Sequence, residues 1–181
     1  MIYNFDHAIL DFIQTLRCGF LDFVMPRFTE LGYKGIFFIL LGIVFLFFKK
    51  TRKSGIVILA ALTLGALVCN LVLKPLVARP RPYTEIPDFV LLVSPLSDFS
   101  FPSGHTTAVF EAAFGVALLG KKAAIGAYSF AVLMAFSRMY LYVHYPTDVL
   151  AGAIIGTLSA VLVYTVYKAV ENKRKTLTNF S

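Results

Sequence analysis

Apolar residues run for long stretches of this chain and polar residues fall between the runs rather than alternating with them, the pattern of bilayer-crossing helices. The clearest runs are 55–73 and 148–167, and a third, 123–141, stays apolar until Arg138 near its end. The run 35–48 is short, but it reaches spanning length if it begins near Thr29 and Lys34 extends toward the headgroups. The run 105–119 is also short, with Pro102 and Ser103 marking its start as a helix N-terminus. These runs predict an all-α membrane bundle of about five transmembrane helices. Residues 3–17 place Phe5, Ile9, Phe12, Ile13 and Leu16 at helical spacing against Asp6, Asp11, Gln14 and Arg17, which predicts an amphipathic helix lying along the interface. A sixth span through 8–28 is the alternative.

Composition agrees with that reading: 58% of residues are hydrophobic, 15% are charged and the mean hydropathy is +0.76. A single membrane domain over 1–181 is expected, with 1–28 at the interface and the core in 55–167. Asp6 and Asp11 interrupt the basic-then-apolar order of a signal peptide, so no cleavage is expected. Cys18 and Cys69 show neither a disulfide framework nor metal-ligand spacing. The net charge is +7, and ten of the seventeen basic residues follow the first, third and fifth runs: Lys49, Lys50, Arg52, Lys53, Lys121, Lys122, Lys168, Lys173, Arg174 and Lys175. By the positive-inside rule that face of a cell-membrane protein is cytoplasmic. Topology and anionic headgroups explain the charge, and no aromatic-basic module for nucleic acid is visible.

The remaining polar chemistry is concentrated. Lys74 and Arg81 follow the second run, Pro102-Ser103-Gly104-His105 opens the third helix of the five, and Arg138, His144 and Asp148 close the fourth and open the fifth. Alternating helix directions bring all three clusters to the extracytoplasmic end. Charges at the membrane edge are costly and mark function. Arginine forks and a lysine suit a phosphate, and a helix starting at Ser103 adds backbone N–H groups, with Gly104 permitting close approach. His144 is the candidate nucleophile. Asp148, four residues on at a helix start, is placed to hold its other ring nitrogen, and His105 can protonate a leaving oxygen.

The order and spacing resemble the type 2 phosphatidic acid phosphatase family, whose signature Lys-x6-Arg-Pro, Pro-Ser-Gly-His and Ser-Arg-x5-His-x3-Asp is filled at every position between Lys74 and Asp148. The resemblance implies a phosphohistidine on His144 oriented by Asp148, His105 as the acid, and Lys74, Arg81, Ser103, Gly104 and Arg138 around the phosphate, with no metal and no cofactor. It implies a lipid phosphate or diphosphate as substrate: undecaprenyl diphosphate, phosphatidylglycerophosphate, phosphatidic acid or a lipid A phosphate. The bilayer is then the environment, and no obligatory protein partner is evident. A non-enzymatic phospholipid-binding or transport protein that keeps an anion site is the alternative.

Several residues fall outside the signature. Arg79 reads as an auxiliary cation or headgroup contact, and His7 as interfacial. Tyr140, Tyr142 and Tyr145 read as interfacial anchors. Glu111 is an intramembrane carboxylate that either tunes the site or binds a neighbouring helix, and Asn70 steers Lys74 or locks helix packing. The stretch 83–101, with Phe89 to Val93 in a row, is expected to lie at the interface and shape lipid access.

Overall fold

The computed structural model describes residues 2–178; Met1 and residues 179–181, at the ends of the expected 1–181 domain, lie outside the described residues. Among the described residues every regular element is helical: α1 (Ile2–Thr15), α2 (Gly19–Glu30), α3 (Ile36–Phe47), α4 (Arg52–Ala66, continued by a π-helical turn, Leu67–Leu73), α5 (Lys74–Val77), α6 (Gly104–Ala117), α7 (Lys121–Tyr140) and α8 (Pro146–Thr178). The expected all-α membrane bundle is what forms. Among the described residues four stretches are long and apolar enough to cross a bilayer: 19–47, 52–85, 121–140 and 146–178.

Three expectations about the spans need correction. The first span begins at Gly19 rather than near Thr29, so part of the segment expected at the interface belongs to it. It is also bent, because Lys34 (φ 49) and Gly35 (φ 69) leave the right-handed region between α2 and α3. No continuous span runs through 8–28, since the chain turns at Leu16–Cys18 and Cys18 is extended (φ −153, ψ 159). Finally, α6 has 14 residues, or about 21 Å of helix, against a hydrocarbon core of about 30 Å. It works as the central post, packed against α4, α7 and α8.

The core joins these helices through Phe38 of α3, Ile58 and Leu62 of α4, Val109 of α6 and Met134 of α7. In lipid such packing is held by close van der Waals contact rather than by exclusion of water. Close contact explains Gly152 of α8, where an added Cβ would stand 2.7 Å from the Ser103 carbonyl oxygen. Consecutive long helices from α3 to α8 run antiparallel, which leaves α6 and α8 side by side in the same direction, both starting at the motif end. Lys53 at the start of α4 donates to the hydroxyl of Tyr164 far along α8 (3.1 Å), so the lysine-rich ends gather together and the three motifs gather at the other end.

A second core lies at the motif end. Ile13 of α1, Met25 of α2 and Tyr140, Leu141 and Val143 pack together, with Leu91, Leu92, Val93 and Leu96 laid over them. The apolar row of the stretch 83–101 is packed into the cap, where Phe89 stacks on Tyr142 (4.7 Å) and only Val90 is strongly exposed, while most of the rest of the stretch is exposed and residues 95–98 line the cavity beside the site, as expected. The three tyrosines are not anchors. All are buried, and their hydroxyls donate to acids: Tyr140 to Asp22 (2.6 Å), Tyr142 to Asp11 (3.2 Å) and Tyr145 to Glu85 (2.8 Å). His7 sits in the same cap, 3.1 Å from Glu85.

Candidate active site

Lys74 is delivered by an irregular helix. Proline at 75 has no N–H and its ring crowds the carbonyl four residues back, and the widened π turn over Leu67–Leu73 accommodates this just before Lys74. The helix stops at Ala78 (φ 47), and the chain is extended at Arg81 (φ −85, ψ 148) between Pro80 and Pro82. Arg81 is 3% exposed and fully committed: Nη1 donates to the Val143 carbonyl (2.7 Å), Nε to the Asp98 carbonyl (2.9 Å) and Nη2 to the Asp98 carboxylate (2.6 Å). The Lys74 ammonium pairs with the other Asp98 oxygen. Burial alone would raise the Asp98 pKa, but Lys74 and Arg81 outweigh it and hold the group down to about 2. Sequence reasoning missed Asp98. The only signal was a lone carboxylate in an apolar loop five residues before Ser103.

Two helix starts meet beside these cations. Ser103 caps α6, its hydroxyl accepting from the Thr106 N–H (3.4 Å) and the Thr106 hydroxyl (2.9 Å). The Ser103 N–H donates to the Asp148 carbonyl (3.1 Å), tying α6 to α8. Pro146 opens α8, and Asp148 in its first turn accepts the Tyr145 N–H (2.9 Å), the reciprocal half of a capping box. Gly104 and His105 start α6 and face the same space as Lys74 and His144.

His144, 2% exposed, has its Nε2 3.3 Å from Arg81 Nη1. A guanidinium can only donate, so Nε2 is the accepting nitrogen and Nδ1 carries the proton. Nδ1 lies 3.6 Å from Asp148 Oδ2, adjacent but longer than a hydrogen bond. Burial, then Arg81, Arg138 and Lys74, hold the imidazole well below its ordinary pKa, so it is neutral, with the Nε2 lone pair directed at Arg81.

Asp148 is held from behind. Ser100 donates to Oδ2, and Arg79 Nη1 donates to Oδ1 (2.7 Å) and to the Thr147 hydroxyl (2.8 Å). Arg79 Nη2 binds Asp6 of α1 (2.7 Å), and the guanidinium lies over the Tyr145 ring (3.7 Å). Arg79 is therefore a brace between α1 and Asp148, not the loose auxiliary cation expected from sequence. Asp6, fully buried, also accepts from the Thr147 N–H (3.0 Å) and hydroxyl (2.6 Å).

Arg138 is 3% exposed at the C-terminal end of α7, where the helix dipole favours a cation, and Nη1 donates to Thr29 of α2 (2.6 Å). His105 is covered by the α2–α3 turn; a Cβ at Gly32 would lie 2.5 Å from its Cδ2. All eight residues expected at the site are thus at the motif end, where Lys74, Gly104, His105 and His144 line one cavity of about 540 Å³ with Asp98. Ile39, Leu62, Ala66 and Asn70 of its wall also line an apolar groove between α3 and α4. Asn70 stands at that junction, in the cavity wall that also holds Lys74.

A helical membrane bundle that gathers two histidines and a set of buried cations round one cavity is the class of protein that fold and site define. Residues 54–171 match the PAP2 superfamily, and the chain belongs to it. It is 34% identical to a lipid A 4'-phosphatase of Bacteroides thetaiotaomicron over 176 residues, 89% of this chain and 76% of that one. To an undecaprenyl-diphosphatase of Sulfolobus acidocaldarius it is 37% identical over 114 residues, 62% of this chain and 54% of that one. Among solved structures it is similar to a transmembrane PAP2-type phosphatidylglycerolphosphate phosphatase from Bacillus subtilis, with a TM-score of 0.77 and 32% identity, covering 93% of this chain and 87% of that one. The chain spans 54% to 64% of the length of three of the curated relatives it matches.

Proposed function

We propose that the protein hydrolyses a membrane lipid phosphate or diphosphate through a phosphohistidine on His144, without a metal, at the extracytoplasmic face. The observation that carries this reading is the neutral His144 imidazole, its Nε2 at 3.3 Å from Arg81 and its Nδ1 toward Asp148, in a cavity shared with His105 and Lys74. The substrate phosphate displaces the Asp98 carboxylate from Lys74 and Arg81, and Arg138 and the N–H groups opening α6 face its remaining oxygens. Burial, then the cations around it, hold the His105 pKa down to about 2, and the charge of the incoming phosphate raises it so that the ring takes up a proton. Nε2 of His144 then forms the bond to phosphorus while the bond to the lipid oxygen breaks, and His105 gives that proton to the oxygen. In the second step His105 takes a proton from water, whose oxygen displaces Nε2 and releases phosphate. Asp148 holds the ring and balances its positive charge in between. The lipid chain leaves the site through the apolar groove between α3 and α4.

The test is phosphate release, with EDTA present, from a panel of detergent-solubilised lipid phosphates, combined with an alkaline quench that preserves phosphohistidine. His144→Ala should lower kcat by about a thousandfold or more and trap no label while vanadate still binds. Substantial turnover by that variant defeats the nucleophile assignment, and an anion-binding protein without turnover would release nothing at all. The orientation is tested by cysteine labelling after replacing Cys18. Ser94→Cys, in the exposed loop before the site, should react with an impermeant thiol reagent in intact cells, and Asn172→Cys only after lysis. The reverse pattern inverts the topology. Asp98 is unsuitable as the labelling position because it pairs with Lys74 and Arg81.

A further inference from the structure

Glu111 is unaccounted for by the reaction above. It is 1% exposed, its Oε1 has no hydrogen-bond partner, and it lies on α6 in the wall of the cavity that holds His105 and His144. Among the described residues no basic side chain pairs with it. The facing helix makes room for it: the carboxyl fills the space that a Cβ on Gly65 of α4 would occupy. Its polar neighbours are committed elsewhere. The Thr107 hydroxyl donates to the Ser103 carbonyl (3.0 Å) and lies 3.5 Å from the Cys69 sulfur. A buried polar group of this kind costs stability unless a partner arrives. A carboxyl with a glycine opposite it and an open cavity beside it is built to receive one.

Position says which part of a substrate that partner is. Glu111 follows His105 by six residues, about 9 Å of helix rise, and helix side chains lean toward the N-terminus, so the carboxyl reaches back toward the phosphate end. It lines the same cavity as His105 and His144 and as Ile39, Leu62, Ala66 and Asn70 of the apolar groove, so a leaving group reaching from the one to the other runs beside it. A polyprenyl diphosphate has its second phosphate there, an anion whose oxygens accept rather than donate, and only hydrocarbon beyond it. A glycerol or a sugar carries hydroxyls, or an amide N–H, within a few bonds of the phosphate.

Resting on the phosphatase reading, we propose that Glu111 and the Gly65 gap form a leaving-group subsite that accepts a hydroxyl or amide N–H, so that the protein selects glycerol- or sugar-linked phosphates over polyprenyl diphosphates. The experiment compares kcat/KM on lysophosphatidic acid, which has a free hydroxyl on the carbon next to the phosphate-bearing one, with a long-chain alkyl phosphate of matched length and with farnesyl diphosphate. The wild-type protein should favour lysophosphatidic acid about tenfold over the alkyl phosphate, the scale of one hydrogen bond in a water-poor site. Glu111→Leu should bring that ratio to about one, and Glu111→Gln, which can still hydrogen-bond, should keep most of it. Gly65→Ala, which displaces the carboxyl from the opposite helix, should collapse the ratio without altering Glu111 itself; it keeps the test decisive if Glu111→Leu does not fold. A wild-type ratio near one, a preference for farnesyl diphosphate, or an unchanged ratio in both Glu111→Leu and Gly65→Ala overturns the subsite while leaving the phosphatase reading intact. No release from any of the three by the wild-type protein overturns both.

Discussion

The motif-bearing bundle from α4 to α8 and the N-terminal pair α1 and α2 contribute to the site in opposite ways. The bundle supplies every group proposed to touch phosphate, and the N-terminal pair supplies none, yet three of the key groups lean on it. Asp6 of α1 shares Arg79 with Asp148, Thr29 of α2 receives Arg138, and Gly32 just after α2 lies against the ring of His105. The α1 helix also faces the opposite way from an amphipathic helix on a soluble protein. Its polar side, Asp6, Asp11 and Gln14, is turned onto Tyr140 at the end of α7, Tyr142 in the loop after it and Thr147 at the start of α8, while Phe5 and Phe12 face outward at 58% and 64% exposure. In a membrane the outside is apolar and the site is polar, so this orientation satisfies both. Residues far from the chemistry in sequence thus become its scaffold.

That division of labour can be broken from the N-terminal side. The largest effect is expected from Asp6→Ala, which strips a buried carboxylate from Arg79 and leaves the Thr147 N–H without its acceptor. Losing one partner of a buried ion pair costs about 3 kcal/mol, and thermal unfolding in detergent should show it. Turnover should fall by roughly thirtyfold as Asp148 loses its fixed position, with Asp6→Asn losing less. Wild-type stability and rate in Asp6→Ala would mean that α1 is only an attachment.

Gly32→Ala is the sharper instrument because it adds one carbon and removes no charge. With that carbon 2.5 Å from His105 Cδ2, the imidazole must shift, and kcat should drop about tenfold with KM little changed. An equal rise in KM would place the effect on binding, and on the cavity rather than on proton transfer.

The smallest expected change lies within the bundle. Asp98→Asn removes the carboxylate that stands on Lys74 and Arg81 where phosphate is proposed to bind, so vanadate should bind up to about fivefold tighter, the scale of a half-exposed ion pair. Asp98 ionises at about 2, so the difference should persist at every pH above about 4 and shrink only in more acid solution, where the wild-type group also becomes neutral. Weaker vanadate binding in Asp98→Asn would make Asp98 a positioner of the two cations rather than a competitor for them.

Much of the bundle and the membership of the site were legible in the residue order, for local reasons. Ser103 announces a helix start because a hydroxyl there can take an orphan N–H, and Pro146 does so because its ring is preset for the first helical turn. Long apolar runs must be helices because lipid offers their backbone no other hydrogen-bond partner. Lys74, Arg81, His105, Arg138, His144 and Asp148 stand at the ends of such helices, so alternating direction alone brings them to one side. Direction does not say what a side chain touches there. Arg79 looked like one more cation until Asp6, 73 residues away, was found on its other side, and Tyr142 looked like an anchor until Asp11, 131 residues away, met its hydroxyl.

The sequence by itself determined most of the helices, the membrane setting and which motif residues gather at one end of the bundle, because those follow from periodicity, capping and hydropathy over neighbouring positions. Only the tertiary structure decided which way α1 turns its polar face, that Asp98 occupies the cations, that Gly32 covers His105 and that Glu111 has no partner. An apolar stripe has the same period whether it meets protein or lipid, and a carboxylate reads the same whether it is paired or alone. Those choices belong to contacts between segments far apart along the chain, which no local pattern encodes.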